Sequence, residues 1–88
     1  MNVAFSEPHR ELVRRLVEAR IAAGLSQRQL AERLGVDHSW IGKFESERVR
    51  LNVIQFLKLA DALNIDAGRL LVGLGELSKI PMVATRVG

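Results

Sequence analysis

The sequence from Leu25 to Ser46 reads LSQRQLAERLGVDHSWIGKFES and decides the fold of this chain. Ser26 is a strong helix N-cap, because its hydroxyl can accept a hydrogen bond from a backbone N–H of the first turn. Gly35 ends that helix, since glycine tolerates the left-handed conformation common at helix termini. Asp37 can cap a second helix after a very short connection. The stretch therefore predicts two short helices joined by a tight turn.

Apolar residues recur at helical spacing in both of these helices. The buried face of the first is predicted to hold Leu30, Ala31 and Leu34. The core side of the second is predicted to hold Asp37, Ile41 and Phe44. Because Ala31 is small, it lets the two helices approach closely and cross steeply. The geometry is that of a helix-turn-helix.

The opposite side of the second helix carries polar and small residues, namely His38, Ser39, Gly42, Lys43 and Ser46. Serine, lysine and histidine can hydrogen-bond base edges or phosphates in the major groove of DNA. Gly42 costs about 1 kcal/mol relative to alanine inside a helix. Two interpretations of Gly42 stay open: a close approach of the helix to a backbone or base edge, or a face that no longer binds DNA.

Residues 12–71 resemble the lambda-repressor/Cro (Xre-type) helix-turn-helix domains. The resemblance is carried by Leu25-Ser26-Gln27-x-x-Leu30-Ala31-x-x-Leu34-Gly35-Val36, followed by Ile41, Phe44 and Glu45. It implies an all-α, compact five-helix domain that binds double-stranded operator DNA, usually as a homodimer on a palindromic site. It also implies a structural salt bridge between Arg20 and Glu45. The implied DNA contacts are Gln27 to a phosphate, and His38, Ser39 and Lys43 to bases.

The positive charges favour a polyanionic partner. The chain carries a formal net charge of +3, although many small domains are basic. Their placement says more, because a rim for DNA phosphates is predicted at Arg28, Lys43, Arg48 and Arg50. Any single arginine is as readily a solvated surface charge. The alternative function is a protein-interaction module such as an antitoxin or anti-activator, which acidic residues at these positions would have favoured.

Helices are also predicted on either side of this unit. The first helix runs from about Pro8 to Ala23, with Gly24 as its stop. Asp66 can cap a fifth helix, in which Leu70, Leu71 and Leu74 recur.

The fourth helix is predicted to begin after Asn52 and to end at Asn64. Its inner stripe is predicted to hold Ile54, Leu57, Ala60 and Leu63. Phe56 lies off this stripe, so it either widens the core face or touches a partner, and we favour the core.

The length supports one domain, which we predict over residues 1–75 as the DNA-binding unit. Residues 76–88 form a C-terminal tail whose apolar residues predict a dimer contact; a partly ordered terminus is the alternative. The dimer interface is predicted to include Leu70, Leu71, Leu74 and Leu77.

Several function classes lack support in the sequence. There is no cysteine, and His9 and His38 have no carboxylate pair at ligand spacing, so no metal site or cofactor is predicted. No nucleophile motif or phosphate-binding loop predicts an enzyme or a small-molecule substrate. The longest strongly apolar segment, residues 70–74, is far shorter than the roughly 20 residues of a membrane span. We therefore expect a cytoplasmic protein.

Overall fold

The computed structural model describes residues 6–77, which form six helices joined by turns and loops. They are α1 (Glu7–Ala22), α2 (Gln27–Leu34), α3 (His38–Glu45), α4 (Val53–Ala62), α5 (Ala67–Leu71) and α6 (Leu74–Leu77). No strand occurs within residues 6–77. The all-α fold and its five predicted helices are confirmed, and α6 is a further short turn of helix.

The region predicted as the fifth helix is divided between α5 and α6. The two are separated by Val72 and Gly73, and Gly73 has a φ of +79°, outside the right-handed helical region. Arg15 of α1 binds this break, because its Nη1 donates to the carbonyl oxygens of Leu70 at 3.0 Å and of Val72 at 2.7 Å. The end of the described chain is thereby attached to α1.

The predicted boundaries of the helix-turn-helix are confirmed. Ser26 Oγ accepts from the N–H of Gln29 at 3.0 Å, and Gln29 Oε1 accepts from the N–H of Ser26 at 2.8 Å, which forms a capping box. Gly35 ends α2 with a φ of +69°. Asp37 caps α3, since its Oδ1 accepts from the N–H of Ser39 at 3.4 Å. Local side-chain chemistry thus sets both ends of the turn.

One core joins the helices. Its buried residues are Val13, Leu16, Leu30, Ala31, Ile41, Phe44, Phe56, Leu59, Ala60, Leu63 and Leu70. The inward positions predicted for Leu30 and Ala31 of α2, and for Ile41 and Phe44 of α3, are confirmed. Asp37, predicted on the core side, is instead exposed, because its carboxylate caps the first turn of α3.

The packing of α4 differs from its predicted stripe. Phe56 is buried, as favoured, together with Leu59. Ile54 and Leu57 were predicted inside, but they are 59% and 46% exposed. The reason is that α4 has apolar residues on both sides, so helical spacing alone does not determine which side faces the core.

Candidate nucleic-acid interface

The two sides of α3 differ sharply in exposure. Ile41 and Phe44 are 0% exposed, and the ring of Phe44 packs against that of Trp40 with 5.4 Å between centroids. His38, Ser39 and Lys43 are exposed, as is Ser46 just after the helix. The three residues predicted to contact bases therefore lie on the accessible side of one helix.

Ser39 has a defined hydrogen-bond state on this surface. Its Oγ donates to Asp37 Oδ2 at 3.0 Å, while its backbone N–H donates to Asp37 Oδ1. These two hydrogen bonds lower the pKa of Asp37 below its usual value. Since the hydroxyl proton is directed to a carboxylate, the lone pairs of Ser39 Oγ are what remains for an outside donor.

An ion pair fixes the end of α3 to α1. Arg20 Nε donates to Glu45 Oε2 at 2.7 Å, and its Nη2 donates to Glu45 Oε1 at 3.0 Å. The two side chains are only 13% and 9% exposed. Arg20 Nη1 also donates to the carbonyl oxygen of Leu25 at 2.8 Å. A bidentate arginine–carboxylate pair of this kind restrains both side chains. Arg20 therefore holds the end of α3 and the residue before α2 in place.

Gln27 belongs to the same network. Its Nε2 donates to Glu45 Oε1 at 2.9 Å, and the side chain is half-buried between α2 and α3. The sequence resemblance implies a phosphate contact for Gln27, and the network occupies one of its two amide N–H groups. The other N–H and Oε1 have no hydrogen-bond partner within residues 6–77.

The residues predicted to form a phosphate rim are exposed. Arg28 lies in the first turn of α2, and Arg48 and Arg50 lie in the loop between α3 and α4. The loop turns sharply, since Glu47 has a φ of +64° and the N–H of Arg48 donates to the carbonyl oxygen of Lys43 at 2.8 Å. All four cationic side chains of the predicted rim, including Lys43 of α3, are therefore accessible to solvent.

His9 and Arg10 of α1 contact the loop between α3 and α4. The sequence alone predicted neither contact. The N–H of Leu51 donates to His9 Nε2 at 3.1 Å, and Arg10 Nε lies 3.8 Å from Glu47 Oε1. Burial and the charge of Arg50 lower the pKa of His9, and Glu47 partly opposes this shift. No local pattern indicates the His9 contact, because its partner is 42 residues away in the chain.

The residues predicted to form a dimer interface have different positions. Leu70 and Leu74 are buried within their own chain, 3% and 8% exposed, so neither offers an accessible surface. Leu71 is 45% exposed, and the adjacent Val72 is 67% exposed. The side chain of Leu77 and the tail from residue 78 lie outside the described residues.

Two further properties concern residues 6–77 as a whole. Within them, His, Asp and Glu side chains form no group of three that could hold a metal ion. None of the helices in this range has the length and hydropathy to cross a bilayer.

Known proteins are similar to this chain in sequence and in the arrangement of the helices. Residues 16–70 match the family model described as helix-turn-helix. An uncharacterised HTH-type transcriptional regulator of Rickettsia conorii is 33% identical over 73 residues, which cover 83% of this chain and 58% of that protein. A protein of the same description from Rickettsia prowazekii is 33% identical over 72 residues, covering 82% and 55%. The chain spans just over half the length of these curated relatives.

Two solved structures resemble the fold at higher identity. An XRE-family like protein from Pseudomonas syringae pv. tomato superposes with a TM-score of 0.74 at 37% identity, covering 81% of this chain and 87% of that one. The restriction-modification controller protein C.AhdI from Aeromonas hydrophila gives a TM-score of 0.63 at 40% identity, covering 68% and 91%. Both the sequence and the helical arrangement are therefore shared with these proteins.

Proposed function

The chain belongs to the Xre-type helix-turn-helix family, and on that premise we propose that it is a transcription regulator that binds a specific DNA sequence through α3. The observation that carries this proposal is the exposed polar side of α3, backed by the largely buried side chains of the Arg20–Glu45 pair. A rigid helix with short polar side chains suits the width of the major groove. Because the relatives are bacterial, where DNA lies in the cytoplasm, the proposed location is cytoplasmic.

Different residues of the interface have different roles in this proposal. His38, Ser39 and Lys43 contact base edges, whereas Arg28, Arg48 and Arg50 contact phosphates. Phosphate contacts fix the position of the protein on the duplex, and base contacts supply sequence preference. The two sets should therefore respond differently to a change of DNA sequence and to added salt.

A homodimer on a palindromic operator completes the proposal. Two copies of α3 would then enter successive major grooves about 34 Å apart. Exposed Leu71 and Val72, near the end of the described chain, support a contact between copies. Residues 1–75 serve as the DNA-binding unit in this proposal, with the tail from 76 contributing to the dimer.

Selection from a random duplex pool at near-physiological salt tests the function directly. We expect a palindromic motif, which supplies a defined duplex for binding measurements. Lys43→Ala should lose about 1–3 kcal/mol on that duplex and much less on random DNA, whereas Arg28→Ala should weaken both and reduce the salt slope by about 1. Lys58→Ala, a change of an exposed lysine on α4, is the matched control and should leave binding unchanged.

The proposal fails if no motif is recovered and retention of all duplexes disappears as salt rises, because binding is then electrostatic only. If Lys43→Ala and Arg28→Ala cause equal losses on selected and random DNA, the division into base and phosphate contacts is wrong while DNA binding stands.

A further inference from the structure

The amide of Gln27 has a chemically fixed orientation. Glu45 Oε1 already accepts from Arg20 Nη2 at 3.0 Å and accepts from Gln27 Nε2 at 2.9 Å. A carboxylate offers only acceptors, so the NH₂ end of Gln27 must face it; the reversed amide would place oxygen against oxygen. Glu45 therefore directs the carbonyl end of Gln27 away from the ion pair.

That carbonyl oxygen lies beside Gly42, a half-buried residue on the polar side of α3. A Cβ added at Gly42 would meet Gln27 Oε1 at 3.9 Å, an ordinary van der Waals distance, and that oxygen is the nearest atom it would meet. Gly42 also has no positive φ that would require glycine. Neither internal packing nor backbone conformation explains a glycine in the middle of this helix, where alanine is the better helix former.

We propose that Gln27 Oε1 and the bare backbone of Gly42 form a notch that binds the exocyclic amino group of one base in the major groove. This inference rests on the proposed DNA-binding function and deepens it. It assigns Gln27 to base recognition instead of the phosphate contact that the resemblance implies. It also explains why position 42 is a glycine, since a side chain there would occupy the space that the base needs.

The chemistry of the notch selects among the bases. In the major groove, adenine presents its N6 amine and cytosine its N4 amine, whereas guanine presents acceptors and thymine presents an acceptor and a methyl group. Gln27 Oε1 can accept from either amine. Its second N–H can additionally donate to adenine N7, which lies beside the amine. Adenine therefore satisfies both remaining polar atoms of the side chain, and we expect it at this position.

Base analogues in the duplex selected by the wild-type protein test this assignment. Each adenine is replaced in turn by purine, which lacks the N6 amine, or by 7-deazaadenine, which lacks N7; each cytosine is replaced by 2-pyrimidinone, which lacks the N4 amine. Dissociation constants are measured by fluorescence anisotropy for the wild type and for Gln27→Ala. At one position we expect amine removal to weaken the wild type about tenfold and Gln27→Ala hardly at all.

This comparison of two proteins on the same duplexes removes the effect of altered base pairing, which weakens both equally. Gln29→Ala is the matched glutamine control: it removes a side chain of the α2 capping box, so it lowers the melting temperature but should respond to amine removal as the wild type does. A coupled position at cytosine supports the notch and excludes the additional contact to N7.

Gly42→Ala supplies an independent test. We expect the free protein to melt at a higher temperature, while affinity for the selected duplex falls at least tenfold. Lys58→Ala, on the exposed side of α4, is again the control, and its affinity for the duplex should equal that of the wild type.

Two results overturn the notch while the proposed function survives. One is a Gln27→Ala variant that weakens selected and random DNA by the same factor and is coupled to no base, which identifies a phosphate contact. The other is a Gly42→Ala variant whose affinity stays within twofold of the wild type. Failure of the wild type to select any motif overturns the proposed function and the notch together.

Discussion

α3 and α4 are neighbouring helices on one core, but they expose opposite kinds of surface. α3 directs its large apolar side chains inward and presents hydroxyl, imidazole and ammonium groups outward. α4 buries Phe56 and Leu59, yet its outer side exposes Val53, Ile54 and Leu57 at 69%, 59% and 46%. Both helices pack apolar side chains into the core, so core packing does not distinguish them. They differ in the chemistry of their outer sides and in the polar contacts that anchor them to the rest of the domain.

The largest effect should separate an inner residue of α3 from an outer residue of α4. Phe44→Ala removes a completely buried ring that also packs against Trp40, and it should lower the free energy of unfolding by about 3–5 kcal/mol. Leu57→Ala, on the exposed side of α4, should change it by no more than about 0.5 kcal/mol. Urea unfolding of both variants measures the difference. Equal losses would mean that the outer side of α4 is covered in solution.

A smaller effect should distinguish the polar contacts of the two helices. Arg20→Ala leaves the nearly buried carboxylate of Glu45 without its main partner, and we expect a loss of about 2–3 kcal/mol. Arg33→Ala removes an exposed hydrogen bond to the carbonyl oxygen of Ala62 at the end of α4, and its loss should be at most about 1 kcal/mol.

Thermal and urea unfolding measured side by side decide between these two arginines. If Arg20→Ala melts at the same temperature as the wild type, the ion pair does not hold α3. The two helices then do not differ in how strongly polar contacts anchor them. If Arg33→Ala is the more damaging change, α4 depends on polar anchoring as much as α3 does.

The smallest effect concerns the loop that joins α3 to α4, and it depends on pH. Burial and the charge of Arg50 hold the pKa of His9 below its ordinary value of about 6.5, against a raising effect of Glu47. The unfolded chain therefore takes up a proton at a higher pH than the folded chain does. The stabilising contribution of neutral His9 is complete above about pH 6.5 and is lost as the pH falls toward the folded-state pKa.

His9→Gln keeps a side-chain acceptor for the Leu51 N–H but cannot titrate. The free energy of unfolding should therefore fall less between about pH 7.5 and pH 5 for this variant than for the wild type. Glu11, whose pKa is lowered to about 2 by hydrogen bonds from Arg14 and Arg15, stays ionised over this range. Identical pH dependence in the two proteins would show that the His9 contact does not couple protonation to folding.

Much of α3 was predictable because its determinants are local. Ser26, Gly35 and Asp37 act on backbone groups within a few residues, and the polar outer side leaves only one side for the core. The exposure of His38 and Lys43 follows from the same periodicity. The pairing of Arg20 with Glu45, by contrast, came from the family resemblance, since no local sequence pattern indicates a contact between residues 25 positions apart.

The rest depended on packing between distant segments. Helical periodicity wrongly predicted Ile54 and Leu57 on the core-facing side of α4, because both sides of this helix are apolar. The orientation of the Gln27 amide required Glu45 to be in place. Such features follow from the folded arrangement and have no short-range signal.

The separation of tasks on α3 has a practical consequence for engineering. Ile41, Phe44 and Glu45 attach the helix to the domain, whereas the outward side carries the exposed positions 38, 39 and 43 and the half-buried position 42. Exchanging those four positions together with position 27 should transplant the binding preference of another regulator onto this scaffold without repacking its apolar core. The Arg20–Glu45 ion pair would then hold α3 in the same position whichever residues its outward side carries.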